Sequence, residues 1–302
     1  MLIGKSIRVY LADATVLGIR YAEVVNWTGH AVACPRSRLG ELGTWPETAK
    51  PGVYFLFEAR LGDSKPLAYV GESESVIGRL TSHDREKDFW NEVVLFTSKD
   101  ENLTKAHVKF LEASLVAIAK QADRYEVVNG NTPPESSLPR ADRAAMAEFI
   151  ENVRMVLGTL GYPILEPLIR QRLEPPQQEG TALPSTVRKS GASDLVFKVN
   201  NLVAHGAVTD EGFVLKKGSQ VSRINTDSAA MRVVKTKEQL LADGRLKSEG
   251  DHLVLAEDFL LSSSSYGAVL VAGTSRSGPQ SWLTPDGRTL KSIEDAAVGG
   301  DT

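Results

Sequence analysis

Gly52-Val53-Tyr54-Phe55-Leu56-Phe57-Glu58 and, after a short turn, Leu67-Ala68-Tyr69-Val70-Gly71 decide how this chain folds. The first run is aromatic and β-branched, the composition of a strand. Alternation along it sends Val53, Phe55 and Phe57 to one face and Tyr54, Leu56 and Glu58 to the other. Leu61-Gly62-Asp63-Ser64-Lys65-Pro66 is turn chemistry, so the two runs are expected to pair as an antiparallel hairpin. Gly71 is expected to let the backbone leave the sheet there.

Downstream, Ser73 or Ser75 caps a helix. Arg79 and His83 are four residues apart and so share one face of it. That helix is expected to end before the charged run Asp84-Arg85-Glu86-Lys87-Asp88, and Glu92 to Thr97 reads as a third strand. A long helix from about Leu103 to Ala122 follows, with Val108, Leu111, Leu115, Ile118 and Ala119 as its apolar stripe. Glu112 falls within or beside that stripe, where a carboxylate is costly unless something satisfies it. Taken alone, it reads as half of a salt bridge to a neighbouring lysine or arginine. Asn129-Gly130-Asn131-Thr132-Pro133-Pro134 is a loop with two amides. A packing helix lies within Leu138 to Gly161, with Met146, Phe149, Ile150, Val153, Val156, Leu157 and Leu160 at helical spacing.

Residues 1–48 read as a β-rich lead-in without chemistry of its own. Ser6 to Leu11 alternates as a strand does, Ala22 to Trp27 fits a strand or a short helix, and Pro35 to Leu42 fits a short helix. Residues 171–193, rich in Pro, Gln and Ser, read as a linker. Residues 194–302 read as a second small α+β domain. It holds a strand at 195–199, a hairpin around Asp210-Glu211, a helix from Asp227 or Ser228 to Ala242, a strand at 252–255 and a helix at 266–271. A second hairpin turns at Pro285-Asp286-Gly287. From 187 to 249 positive side chains outnumber negative ones, leaving room for a phosphate-facing surface. The expected fold class is therefore α+β, with a small three-stranded, mainly antiparallel sheet flanked by helices in residues 49–170.

Composition narrows the classes. The chain has 302 residues, 42% hydrophobic and 24% charged, enough for two ordinary soluble domains. No run of apolar residues is long enough to span a membrane, and the first residues lack the pattern of a signal peptide, so a cytoplasmic location is expected. The single cysteine, Cys34, excludes an internal disulfide and a cysteine-rich zinc site, and reads as a small buried residue. Net charge is −3, which argues against a nonspecific nucleic-acid binder but leaves room for a local basic patch.

Two tyrosines, a guanidinium, an imidazole and a lone carboxylate between Gly52 and Glu112 point to phosphodiester cleavage with one metal ion. The reaction needs an aligned, deprotonated water, a group to meet the charge on phosphorus, and stabilisation of the departing oxyanion. One carboxylate with water and a substrate phosphate suits magnesium. Arginine presents a planar fork to phosphate oxygens. A tyrosine hydroxyl needs a neighbouring cation or acceptor, such as His83, to act as a base.

Gly52-Val53-Tyr54 and Tyr69-Val70-Gly71 resemble the paired motif of the GIY-YIG nuclease superfamily, with valine in place of each isoleucine. Tyr69 to His83, YVGESESVIGRLTSH, is similar to that family's second motif and the helix after it. The resemblance implies that Tyr54 activates water beside Tyr69, that Arg79 binds phosphate, that His83 assists and that Glu112 binds Mg2+ or Mn2+. It also implies that a later asparagine, Asn131 or else Asn129, supports the site. Many members carry lysine after the second motif's glycine, where this chain has Glu72; Lys105 or Lys109 is then the candidate replacement. Flanks such as Asn102-Leu103-Thr104-Lys105 resemble a bacterial subgroup carrying a C-terminal domain of unknown function. SSSSYGAVLVAG and SWLTPDGRTL are similar to that domain and to modules associated with restriction and adenine methylation. The activity implied is a DNA endonuclease, in restriction or defence, with no organic cofactor and no membrane partner. One site of this kind cuts one strand, so a double-strand cut calls for a homodimer or a second event. The alternatives are a nucleic-acid-binding protein on a nuclease fold that has lost catalysis, and an RNA-directed or structure-specific nuclease.

Overall fold

The structure is a computed structural model describing residues 4–59, 65–130, 137–169 and 194–298. The chain is mixed α+β and divides into two units, residues 1–167 and 168–302. The linker expected at 171–193 and Asn131 lie outside the described residues.

In the first unit seven strands share one sheet: β1 (Ile7–Leu11), β2 (Arg20–Val24), β3 (Gly29–Pro35), β4 (Gly52–Phe57), β5 (Leu67–Ser73), β6 (Glu92–Ser98) and β7 (Glu126–Val127). Their order is β1-β2-β3-β6-β4-β5-β7, and every pair is antiparallel except β5 with β7. The sheet thus has seven strands where three were expected. The difference is residues 7–35, which join the sheet through β3 on β6 instead of standing apart as a lead-in. β3 hides from a periodicity reading because nearly all of it is buried on both faces. Its sequence, GHAVACP, therefore neither alternates nor carries many β-branched residues.

The register settles which side chains share a face. Tyr54 pairs with Gly71 and Leu56 with Tyr69, so both tyrosines project from one face of the β4–β5 hairpin. That face is covered by α1 (Val76–Glu86) and by two 3₁₀ turns at 36–44 and 46–49, with Leu39, Leu42, Val76, Leu80 and Trp90 fully or nearly buried against it. Val53, Phe55, Phe57, Val70 and Phe96 fill the other face, under α2 (Lys105–Ala122) and α3 (Arg140–Thr159). Burying each such side chain contributes about 1.5–3 kcal/mol. Thr104 caps α2 through His107, whose ring returns to the Thr104 amide. α1 starts after Ser75 and runs on to Glu86, through part of the charged stretch expected to end it.

Arg36 explains why that end of α1 holds. Its guanidinium donates to the Asp84 carbonyl at 2.7 Å and the Asp84 carboxylate at 2.8 Å, and lies over the Trp90 ring. The N-terminal segment therefore pins the helix that carries Arg79 and His83.

The second unit has two sheets. β8 (Asp194–Val199), β9 (Leu202–Thr209), β10 (Gly212–Leu215) and β14 (Phe259–Leu261) run in the order β14-β10-β9-β8; β11 (Gln220–Ser222), β13 (His252–Leu255) and β12 (Leu246–Glu249) form the other. Helices α4 (Met231–Ala242), α5 (Ser264–Ala272), α6 (Gly278–Ser281) and α7 (Leu290–Val298) complete it. The hairpin expected at Asp210-Glu211 is present, with Gly212 opposite Thr209. Its core centres on Trp282 and Phe213, with ring centroids 4.6 Å apart. Among the described residues no helix is long and apolar enough to cross a membrane.

Candidate active site

Gly71 shapes the site first. β5 continues past it to Ser73, so this glycine does not release the chain from the sheet as expected. Its missing side chain makes room: a Cβ there would lie 2.4 Å from both Cζ and the hydroxyl of Tyr54 and 2.9 Å from the Tyr69 ring. The Tyr54 ring therefore lies across the opposite strand, directly over the Gly71 Cα. This is the glycine's use where a partner approaches closely.

The Tyr54 hydroxyl then reaches α1, where His83 Nε2 is 2.9 Å away. His83 is 2% exposed and, among the described residues, its Nδ1 has no hydrogen-bond partner; the Glu86 carboxylate stands 3.7 Å from it. Burial, with the positive charges of Arg79 and Lys87, brings the imidazole down to about 4, so His83 is neutral near pH 7. In the tautomer with its proton on Nδ1, Nε2 accepts from the Tyr54 hydroxyl. Burial, with Tyr69 beside it, pushes the Tyr54 phenol well above its ordinary value, while Arg79 acts the other way. A standing phenolate is therefore disfavoured. Tyr69 packs edge-on to the His83 ring with centroids 5.2 Å apart, and Lys87 Nζ lies 4.4 Å from the Tyr69 ring centre.

Arg79, one turn before His83, is exposed, with its guanidinium beside both tyrosines. Glu112 comes from α2 on the opposite sheet face, and its charge is felt by both tyrosines and by Arg79. The two sets meet around the β5 edge, where among the described residues no strand pairs beyond Ala68. Among the described residues, half-buried Glu112 accepts no hydrogen bond and closes no ion pair, in contrast to the salt bridge its sequence position first offered. Burial and the Glu72 carboxylate raise it to about 7, against the opposing charges of Lys105, Arg79 and Lys109.

Glu72 itself is held by Lys105 Nζ at 3.0 Å. A cation thus reaches this strand from α2, two turns before Glu112. Asn129 closes the arrangement. Its side-chain oxygen accepts from Val70 N at 3.1 Å and its amide donates to Val70 O at 2.7 Å, completing the ladder where β7 stops. Asn129 thus holds the strand between Tyr69 and Gly71. Cys34 is fully buried and its thiol is pushed up to about 12, the inert residue expected.

Arg36 was missed from sequence because only the tertiary fold brings it to the helix bearing His83, and Glu86 and Lys87 because that helix was expected to end before Asp84 although they follow His83 at helical spacing. A glycine opposite a tyrosine across a hairpin was the available signal for the Gly71 contact.

A lone carboxylate without a partner among the described residues fits magnesium, which keeps most of its water and takes substrate oxygens. Among the described residues no group of three His, Cys, Asp or Glu side chains forms a complete protein cage for a metal.

Two α+β units, one with a tyrosine–histidine pair facing an unpaired carboxylate, define the protein structurally. Residues 195–294 match a family described as a domain of unknown function, DUF4357. No curated protein and no solved structure matches the chain.

Proposed function

We propose that this protein is a metal-dependent DNA endonuclease of the GIY-YIG type, in which Tyr54, Tyr69, Arg79, His83 and Glu112 form the active site. The observation that supports it most is the Tyr54–His83 hydrogen bond beside a carboxylate that, among the described residues, no side chain satisfies. A divalent ion, magnesium or manganese, held by Glu112 would supply charge neutralisation at the phosphate and at the leaving oxygen.

The residues divide the remaining work. Arg79 holds the phosphate oxygens by its planar fork. Tyr54, kept neutral by burial, accepts the proton of the attacking water as it passes its own to His83 Nε2. The water oxygen then bonds to phosphorus while the bond to the leaving oxygen breaks. The imidazolium that forms faces Glu86, 3.7 Å from Nδ1. Asn129 keeps β5 in register, and Lys105 holds Glu72 away from the phosphate. Residues 194–298 contribute DNA recognition, and two copies would give a double-strand cut.

The test is nicking of supercoiled DNA with and without magnesium by wild type, Glu112→Ala and Arg79→Ala. Cleavage by wild type that both substitutions abolish is expected. Activity that survives both rejects this site. Wild type that binds DNA yet cuts neither DNA nor RNA with any divalent ion makes the chain a binding protein on this fold.

A further inference from the structure

In the second unit Lys237 is 3% exposed, yet among the described residues it meets no carboxylate. Its ammonium donates to the Ser222 carbonyl at 2.9 Å and to the Asn225 side-chain oxygen at 2.5 Å. A buried cation satisfied by neutral acceptors retains its field, and burial alone brings it down to about 8. That field is expressed at the loop directly above, residues 222–230. The loop is fixed from its other side as well. Ser228 bonds Thr274 at 2.9 Å and the Ser275 amide at 3.2 Å, and the Thr226 amide donates to Gly273 O at 2.7 Å.

What this fixed loop presents, with the start of α4 and the residues after α5, is cationic and apolar together. Arg223, Arg232 and Arg276 are exposed, and among the described residues none closes an ion pair; Asp227 and Asp251 are the nearby acids. The Arg232 guanidinium carbon lies 5.0 Å from the centre of the Tyr266 ring, whose hydroxyl bonds Thr236 at 2.7 Å, so its position is held by packing. Ile224 is 75% exposed and Met231 69%, although neither is needed by the core. Elsewhere in this unit Lys216, Arg245 and Arg288 are each engaged by a carboxylate. Arginines with no ion pair among the described residues, around exposed aliphatic side chains on and beside a pinned loop, match the charge and shape of a nucleic-acid backbone and its groove.

We infer that the surface made by Arg223, Ile224, Met231, Arg232 and Arg276 is where the second unit binds DNA, through backbone phosphates with Ile224 and Met231 against the groove. This rests on the reading of the chain as acting on DNA, and it adds the surface and the mode of contact. Lys237 is a positioning residue, since it holds the loop from beneath.

The test uses the full chain carrying Glu112→Gln, so that bound DNA stays intact, with a labelled mixed-sequence duplex followed by fluorescence anisotropy across a salt series. Replacing Arg223, Arg232 and Arg276 together with glutamine is expected to weaken binding at least about tenfold, and to lower the log–log salt slope by about one per arginine. Ile224→Asp should weaken binding without the same loss of slope. Thermal unfolding of the triple variant should match its parent; if it does not, the single Arg276→Gln and Arg223→Gln variants decide. Unchanged affinity and slope overturn the inference, and continued nicking by the same triple variant with Glu112 restored leaves the nuclease reading standing. Failure of the parent to bind or of wild type to nick removes that reading, and this one with it. Tighter binding to RNA or to anionic vesicles, lost in the triple variant, also overturns the assignment to DNA.

Discussion

The hydroxyl of Tyr54 and Nε2 of His83 lie 2.9 Å apart with both side chains almost wholly out of solvent. Tyr54→Phe keeps the ring over Gly71 and removes this one bond. It should cost about 1–3 kcal/mol of folding stability, because the imidazole nitrogen is left buried without a partner. Cleavage should fall by about 10²–10⁴, the usual contribution of a positioned proton acceptor. Urea denaturation and a nicking assay measure the two effects separately.

Gly71→Ala places a methyl group against the Tyr54 hydroxyl and the Tyr69 ring. The overpacking should cost about 1–3 kcal/mol. In the Tyr54→Ala background the same change should cost less, because the closer of the two rings it strikes is gone and only Tyr69 remains. A double-mutant cycle by urea denaturation reads the coupling, and additive costs would contradict the contact.

Two titrations with opposite signs should shape stability against pH in the absence of metal. The folded value for His83, about 4, lies below the ordinary 6.5. Its contribution is complete above pH 6.5 and is lost as pH falls through about 4. The folded value for Glu112, about 7, lies above the ordinary 4.5, so stability is greatest below pH 4.5 and declines as pH rises through about 7. His83→Gln should flatten the acid limb and Glu112→Gln the neutral one, in denaturation curves recorded with chelator. Magnesium should raise the melting temperature of wild type above pH 7 and leave that of Glu112→Gln unchanged.

Asn129→Ala removes both side-chain bonds to Val70 and should cost about 1–3 kcal/mol. Asn129→Asp should be worse, since its carboxylate would face the Val70 carbonyl. Amide exchange at Val70 should accelerate in both variants while exchange in β6 stays slow.

Glu72→Gln removes the carboxylate whose charge raises Glu112. The Glu112 titration, followed by carboxyl carbon shifts, should move down toward the ordinary range. Lys105→Ala should move it the other way, since Lys105 offsets both acids.

The hairpin, its alternation and the shared face of Arg79 and His83 were readable because each depends on spacing along one or two elements. β3 was not, because a strand buried on both faces has no alternation to read. The partners of Glu72 and Val70 were unreadable for another reason. Lys105 is 33 residues from Glu72 and Asn129 is 59 from Val70, distances that only the fold closes. The same limit separated Arg36 from Asp84, 48 residues on, so the segment that pins α1 read as one without chemistry. In the second unit the excess of positive charge was visible as composition, but only the structure shows that Lys216 and Arg245 are engaged by carboxylates while, among the described residues, Arg223, Arg232 and Arg276 close no ion pair.

The contact between Gly71 and Tyr54 also constrains the order in which this site is able to change. While the tyrosine is present, any side chain at 71 meets its ring, so position 71 is closed to substitution. Once that tyrosine is lost to a small residue, only the Tyr69 ring still limits position 71, and the constraint on it relaxes. A lineage that abandons the chemistry would therefore lose the tyrosine first and the glycine afterwards, and a chain that keeps the tyrosine should keep the glycine with it.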